Sequence, residues 1–207
     1  MPIDHGHRHA DHESWLNDAC LRDQLLQCYN AGLVASPPPM NYDPGRARHE
    51  AFFRKMYGNT KKDVEKNLSD IVWMPGVFNQ RLRVSTVNNV HRKLEAVSRE
   101  LVALPKTFHK YLQRPGGTFN WRPIAGTQRM SMHSFGVTID INVAESDYWR
   151  NAKPDGSGRY RYVNKIPMEI VQIFERHGFI WGGRWYHYDT MHFEYRPELL
   201  QTNCSCK

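Results

Sequence analysis

Ser131-Met-His133-Ser-Phe-Gly136-Val-Thr138-Ile-Asp140, with Tyr188-Asp189-Thr-Met-His192-Phe-Glu194 further along, decides how this chain is read. Together the two stretches supply two histidines, an acid between them in sequence, and a further acid shortly before the second histidine. A catalytic zinc site takes three protein ligands, commonly imidazoles and a carboxylate, and keeps a fourth position open. His133, Asp140 and His192 meet that count and leave Asp189 over as a general base. His133 and Asp140 are seven positions apart, and an odd separation puts two residues on opposite faces of an unbroken strand. A turn must therefore intervene, and Gly136 is placed to make it. Asp140 lies within the apolar run Val137–Val143, where a carboxylate without a cation is costly. A metal offsets that cost; capping a turn or pairing with an arginine are the alternatives.

His192 sits between Met191 and Phe193, close to Trp185, Tyr186, Tyr188 and Tyr195. A histidine in such company often serves as a hydrogen-bonded core residue, and the acids on either side are what mark it as a ligand. On a strand Glu194 shares a face with His192 and can orient the ring. Asp189, in the turn before it, approaches from the open side of the metal. His187 is a spare candidate, as ligand, as donor to a substrate carbonyl, or as part of the aromatic packing.

Composition bounds what such a site is built into. With 207 residues, 40% of them hydrophobic, the chain can bury one substantial core but hardly a second catalytic domain. No run approaches the roughly 20 apolar residues of a membrane span, and the start, Met-Pro-Ile-Asp-His-Gly-His-Arg-His, has no apolar signal-peptide core. The formal charge of +7 points to an anionic partner. Its lysines and arginines are scattered, with no basic run interleaved with aromatics, so an acidic polymer such as bacterial cell wall is expected rather than nucleic acid. Cys20 and Cys28 stand near one end and Cys204 and Cys206 at the other. Within one helix Cys20 and Cys28 would be about 12 Å apart, too far for a mutual disulfide. If oxidised, each would reach the tail and imply a location outside the cytoplasm; free thiols in a cytosolic protein are the alternative.

Along the chain, His5, His7, His9 and His12 suggest a flexible tail over 1–13 that picks up metal adventitiously. Ser14 caps a predicted helix running to Gly32 with Leu21, Leu25 and Cys28 on one face. Pro37-Pro38-Pro39 is an extended linker. Asp43-Pro44 opens a second helix that Gly58 closes, and Thr60 with Asp63 forms a capping box for a third with Val64 and Leu68 inside. From Ser85, Val87, Val90, Leu94, Val97 and Leu101 recur at helical spacing up to Pro105. Thr118–Arg122 and Phe135–Val143 read as strands. Residues 146–165 form a surface loop, and Pro167 starts a helix striped by Ile166, Ile170, Ile173 and Phe174 that ends at Gly178. Phe179–Trp181 and the stretch from Trp185 to Tyr195 suggest a hairpin. Helices first and a small antiparallel sheet last make an α+β domain. The expected organisation is a tail (1–13), a helical N-terminal extension (14–84), a catalytic core (85–200) and a C-terminal tail (201–207).

Ser-x-His-x-x-Gly-x-Thr-x-Asp followed by Trp-Tyr-His-Tyr-Asp-x-x-His-Phe-Glu resembles the VanY-type D-Ala-D-Ala carboxypeptidases and the related L-alanyl-D-glutamate phage endolysins, zinc peptidases that share a fold with the Hedgehog signalling domain. The resemblance covers residues 117–200, and Thr138 stands where the family usually has Ala. It implies a Hedgehog/DD-peptidase-like fold with a small antiparallel sheet carrying the metal and helices packed on it. It implies Zn2+ on His133, Asp140 and His192, Asp189 as general base, and Ser131, Glu194, His187 and Trp185 lining or supporting the site. Arg122 is the cation implied for the developing oxyanion, in a Phe-Asn-Trp-Arg context that replaces the family's Ser-Gly-Tyr-Arg; Arg129 competes for that role, and a surface salt bridge is the structural alternative for either. The expected activity is hydrolysis of peptide bonds in peptidoglycan stem peptides, as D-Ala-D-Ala carboxypeptidase or L-Ala-D-Glu endopeptidase, by a monomer acting in the periplasm or cell wall or released by a phage. A non-catalytic zinc-containing module that binds cell wall is the competing reading.

Overall fold

Side-chain caps rather than one long apolar stripe organise the N-terminal third of the computed structural model, which describes residues 3, 4, 6, 8–32 and 37–200. The helix expected from Ser14 to Gly32 is two short ones, α1 (His12–Asn17) and α2 (Leu21–Leu26). Asp11, not Ser14, caps α1, accepting the Ser14 N–H at 2.7 Å. The Asp23 carboxylate accepts the Cys20 N–H at 2.8 Å and starts α2. Each cap competes with continuation of the helix by offering the backbone a local partner. Only short faces are buried in consequence: Trp15 and Leu16 pack with Ala19 and Ala47, while Leu25 and Leu26 stay exposed.

Helix α3 (Glu50–Tyr57) begins later than expected, because Asp43-Pro44 is used in a tertiary turn instead of a helix start. Gly58, at φ +137, closes it as expected. The Thr60–Asp63 capping box starts α4 (Lys61–Glu65). Leu68, expected inside that helix, opens a hairpin of β1 (Leu68–Trp73) and β2 (Gln80–Ser85). Within it Ile71, Trp73, Leu82 and Val84 point inward while Asp70, Arg81 and Arg83 point out, which is the period-two alternation of a half-buried sheet. Asn88 and Asn89 in left-handed conformation then delay helix α5 to Val90–Val102. Its predicted stripe Val90, Leu94, Val97 and Leu101 is wholly buried.

After the short α6 (His109–Leu112), a four-stranded antiparallel sheet carries the rest. Its strands are β3 (Pro115–Gly117), β4 (Thr138–Asn142), β5 (Phe179–Trp181) and β6 (His192–Tyr195), in the order β3-β4-β6-β5. The strand expected at Thr118–Arg122 is absent. That segment is laced instead to the 131–134 turn, with Asn120 N–H on the His133 carbonyl (3.1 Å), Arg122 N–H on Ser134 Oγ (3.0 Å) and Ser131 N–H on the Arg122 carbonyl (3.0 Å). Helix α7 (Met168–Arg176) follows Pro167 as expected, and residues 146–165 contain no strand or α-helix.

The sheet separates two environments by alternation. Ile139 and Ile141 of β4, with Phe193 of β6, face the core formed with α5 and α7, where Phe193 stacks on Phe174 at 3.8 Å between ring centroids. Thr138, Asp140, His192 and Glu194 occupy the other face. The result is an α+β architecture of two small antiparallel sheets packed by helices, consistent with a Hedgehog/DD-peptidase-like fold. Among the described residues no helix is long and apolar enough to cross a membrane.

Candidate metal centre

Strand register brings the two motifs together. Asp140 and His192 are direct partners in the β4–β6 ladder, and Thr138 is opposite Glu194, so the four side chains share one face. His133 reaches that face from a single 3-10 turn, Met132–Phe135, which Gly136 ends in left-handed conformation at φ +66. A Cβ at Gly136 would lie 2.7 Å from Leu68 Cδ2, so the turn needs glycine for space as well as for φ. Ser131 caps it, its Oγ accepting the His133 N–H.

One carboxylate is thereby held between two imidazoles. Asp140 Oδ2 is 3.1 Å from His133 Nε2, and Asp140 Oδ1 is 3.0 Å from His192 Nδ1. Both rings are anchored at their far nitrogens: His133 Nδ1 lies 2.9 Å from the Thr118 carbonyl oxygen, and His192 Nε2 lies 3.3 Å from Glu194 Oε2. A carbonyl can only accept, so His133 Nδ1 donates to Thr118 and Nε2 is the nitrogen left facing Asp140.

Electrostatics favour a cation at this point. Burial works against the ionised Asp140, but His133 and His192 outweigh it and hold the carboxyl well below the usual range. Burial likewise works against a charged His192, yet its hydrogen bonds to Asp140 and Glu194 raise the imidazole to about 10. Two nitrogens and a carboxylate converging in a place that demands positive charge fit the donor set of zinc, and the three ligand atoms lie within 4.8 Å of one another.

Around this trio is a cleft of about 290 Å³. Asp189 lines it with Oδ1 sealed from water and without a hydrogen bond. Burial, reinforced by Asp140, pushes the Asp189 carboxyl up to about 6, while His192 and Arg46 oppose the rise. Ser131, His187, Trp185 and Arg122 also line the cleft. Arg122 is exposed and donates from Nη1 to the Pro123 carbonyl at 3.3 Å; Arg129 lines a separate cavity with Met130 and Phe135. A larger apolar cavity of about 1290 Å³ lies between α2, α3 and Tyr195, and none of the candidate ligands lines it.

Three contributors come from the segment before α3 and were not foreseen. Arg46 and Arg48 line the cleft and lie over the Trp185 ring, 5.6 and 5.9 Å from its centroid. Arg48 forks onto both oxygens of Glu194, which Arg196 also contacts at 3.1 Å. Asp43 is fully buried and accepts from His187 at both backbone N–H (2.9 Å) and Nδ1 (2.6 Å). Arg46-x-Arg48, one glycine after Asp43-Pro44, was the available signal in the sequence. His9 and His12 do not belong to a loose tail: His9 bonds Asp23 at 3.0 Å and His12 lies in α1, whereas His5 and His7 lie outside the described residues. Cys20 is a buried free thiol; the pairing considered for Cys204 and Cys206 also lies outside them.

Residues 125–195 match a family described as D-alanyl-D-alanine carboxypeptidase. Searches of curated proteins and of solved structures each returned no match.

Proposed function

We propose, from the match of residues 125–195 to the D-alanyl-D-alanine carboxypeptidase family, that this chain is a zinc-dependent peptidase acting on the stem peptides of peptidoglycan. The observation that carries the reading is the cross-strand pair Asp140–His192 with His133 turned in beside it, both rings fixed from behind. His133 through Nε2, His192 through Nδ1 and Asp140 would hold the zinc. When bound, the ion supplies Lewis acidity that polarises a peptide carbonyl and makes water acidic enough to react near neutral pH.

The protein's own groups do the rest. Asp189, half-buried and without a hydrogen bond at Oδ1, takes the proton of the attacking water and passes it to the leaving amine. Its raised position on the pH scale suits an acid and base that must work in both directions near neutrality. Arg122 places a positive charge at the mouth of the cleft for the oxygen on which charge develops. Glu194, held by Arg48 and Arg196, keeps the His192 ring in the orientation that points Nδ1 at Asp140. Trp185 and His187 form the wall against which the peptide lies. Such a protein works on cell wall and needs no nucleic acid or membrane-spanning partner.

Digestion of muropeptides of known structure by the zinc-loaded protein tests the proposal, with the new ends identified by mass spectrometry. Loss of a terminal D-Ala identifies a carboxypeptidase, and a free D-Glu amine an L-Ala-D-Glu endopeptidase. Retention of cell wall with no new ends would leave the non-catalytic binding module in its place.

A further inference from the structure

A second constellation of the same composition lies along the wall of the cleft. His12, Asp43 and His187 bring two imidazole nitrogens and a carboxylate oxygen within 4.8 Å of one another. Asp43 Oδ2 is 2.9 Å from His12 Nε2 and 2.6 Å from His187 Nδ1. The two rings are stacked, 5.4 Å apart and 16° from parallel, so both can turn a nitrogen toward the same carboxylate. The donors come from three places: α1, the turn before α3, and the connection from β5 to β6.

Two features separate this cluster from an ordinary hydrogen-bonded strut. His12 Nε2 is sealed from solvent and meets the Asp43 oxygen 2.9 Å away out of line for a well-formed hydrogen bond; a buried polar nitrogen in that state is costly. An atom shared between His12, His187 and Asp43 would satisfy it. Second, Asp43 Oδ1 is itself held by the His187 N–H at 2.9 Å, the kind of outer hydrogen bond that fixes a ligating carboxylate. Arg46 Nη1, 3.7 Å from Oδ2, puts a positive charge next to the cluster and weakens it for cations relative to the first site.

We propose that His12, Asp43 and His187 form a second binding site for a divalent transition metal, zinc by its donor set, that fastens α1 to the wall of the catalytic cleft. The site gives α1 an anchor that its cluster of four apolar residues, Trp15, Leu16, Ala19 and Ala47, supplies only in part. Because His187 lines the cleft, occupancy also fixes one wall of the substrate's path.

The test is metal counting on the full chain, stripped with chelator, reloaded with zinc and desalted. The unaltered protein should retain two zinc ions, and His12→Ala, Asp43→Asn and His192→Ala one each. His5→Ala/His7→Ala should retain two. During graded chelation the ion absent from His12→Ala should leave first. A single zinc lost in His192→Ala but kept in His12→Ala overturns the second site while leaving the first intact. Loss of the second zinc in His5→Ala/His7→Ala, or its retention in both His12→Ala and Asp43→Asn, overturns it as well. Cobalt titration of the unaltered chain is independent of whether any variant folds; saturation at one equivalent overturns the proposal.

Discussion

Asp140 and His192 face one another across the β4–β6 ladder, with Asp140 Oδ1 3.0 Å from His192 Nδ1. Because side chains alternate along a strand, the register that joins them also sends Ile139 and Phe193 into the core. Core packing and site geometry are thus fixed by the same pairing. Replacing His192 or His133 with alanine should abolish stoichiometric zinc at this site and leave the sheet folded. Metal analysis with circular dichroism checks this; full occupancy in either variant would remove that residue from the ligand set.

Asp189→Ala should separate metal binding from turnover. Its carboxyl is no part of the His133–Asp140–His192 trio, so zinc content should be unchanged, while hydrolysis should fall by about 10²–10⁴-fold, the usual contribution of a general base. Undiminished release of product from a defined muropeptide would sink the assignment.

Glu194 balances Arg48 and Arg196 in complete burial and supports His192. Glu194→Gln should cost about 3–5 kcal/mol of stability, as removal of one partner from a buried ion cluster does. Zinc affinity should drop by about 10–100-fold through the loosened imidazole. Denaturant melts and competitive chelation report the two effects separately.

Gly136→Ala places a Cβ 2.7 Å from Leu68 Cδ2 and 3.3 Å from Ser85 N, in a residue already at φ +66. A loss of about 1–3 kcal/mol is expected. The strain falls on the turn that aims His133, so weaker zinc retention should accompany it. A variant as stable as the parent would show that the turn can relax.

Tyr29 provides a test at alkaline pH away from the cleft. Its hydroxyl donates to Glu175 at 2.6 Å and accepts from the Trp181 N–H at 2.9 Å. Burial, with the Glu175 charge beside it, raises the phenol well above its ordinary value. A group whose folded pKa is raised gives stability that is complete below the unfolded pKa, about 10 for tyrosine, and is lost as pH rises from there toward the folded value. Stability should therefore decline above about pH 10. Tyr29→Phe should be less stable at neutral pH by about 1–3 kcal/mol but show a shallower alkaline decline. Parallel curves for the two proteins would refute the assignment.

The site was legible where chemistry is local. His133, Gly136 and Asp140 lie within eight residues and Asp189, His192 and Glu194 within six, so spacing alone allowed them to be assembled. Helices α5 and α7 were legible because their stripes are fully buried and uninterrupted. The β1–β2 hairpin was not, since each strand is only six residues long and the outward-facing Val72 blurs the alternation of the first. Nor was the part played by Asp43, Arg46 and Arg48, whose partners His187, Trp185 and Glu194 stand well over a hundred positions away. No periodicity encodes a contact of that range. Only the burial cost of Glu194 demands that some cation come from elsewhere.

Arg48 gives that demand a practical meaning. The counter-charge of a β6 residue is carried by a segment far outside the residues that match the family model, so residues 125–195 are not a portable cassette. A graft of that stretch onto another scaffold would carry Glu194 without its clamp. Such a chimera should be designed with the loop from Asp43 to Glu50 included, and its absence should be the first thing examined when one fails.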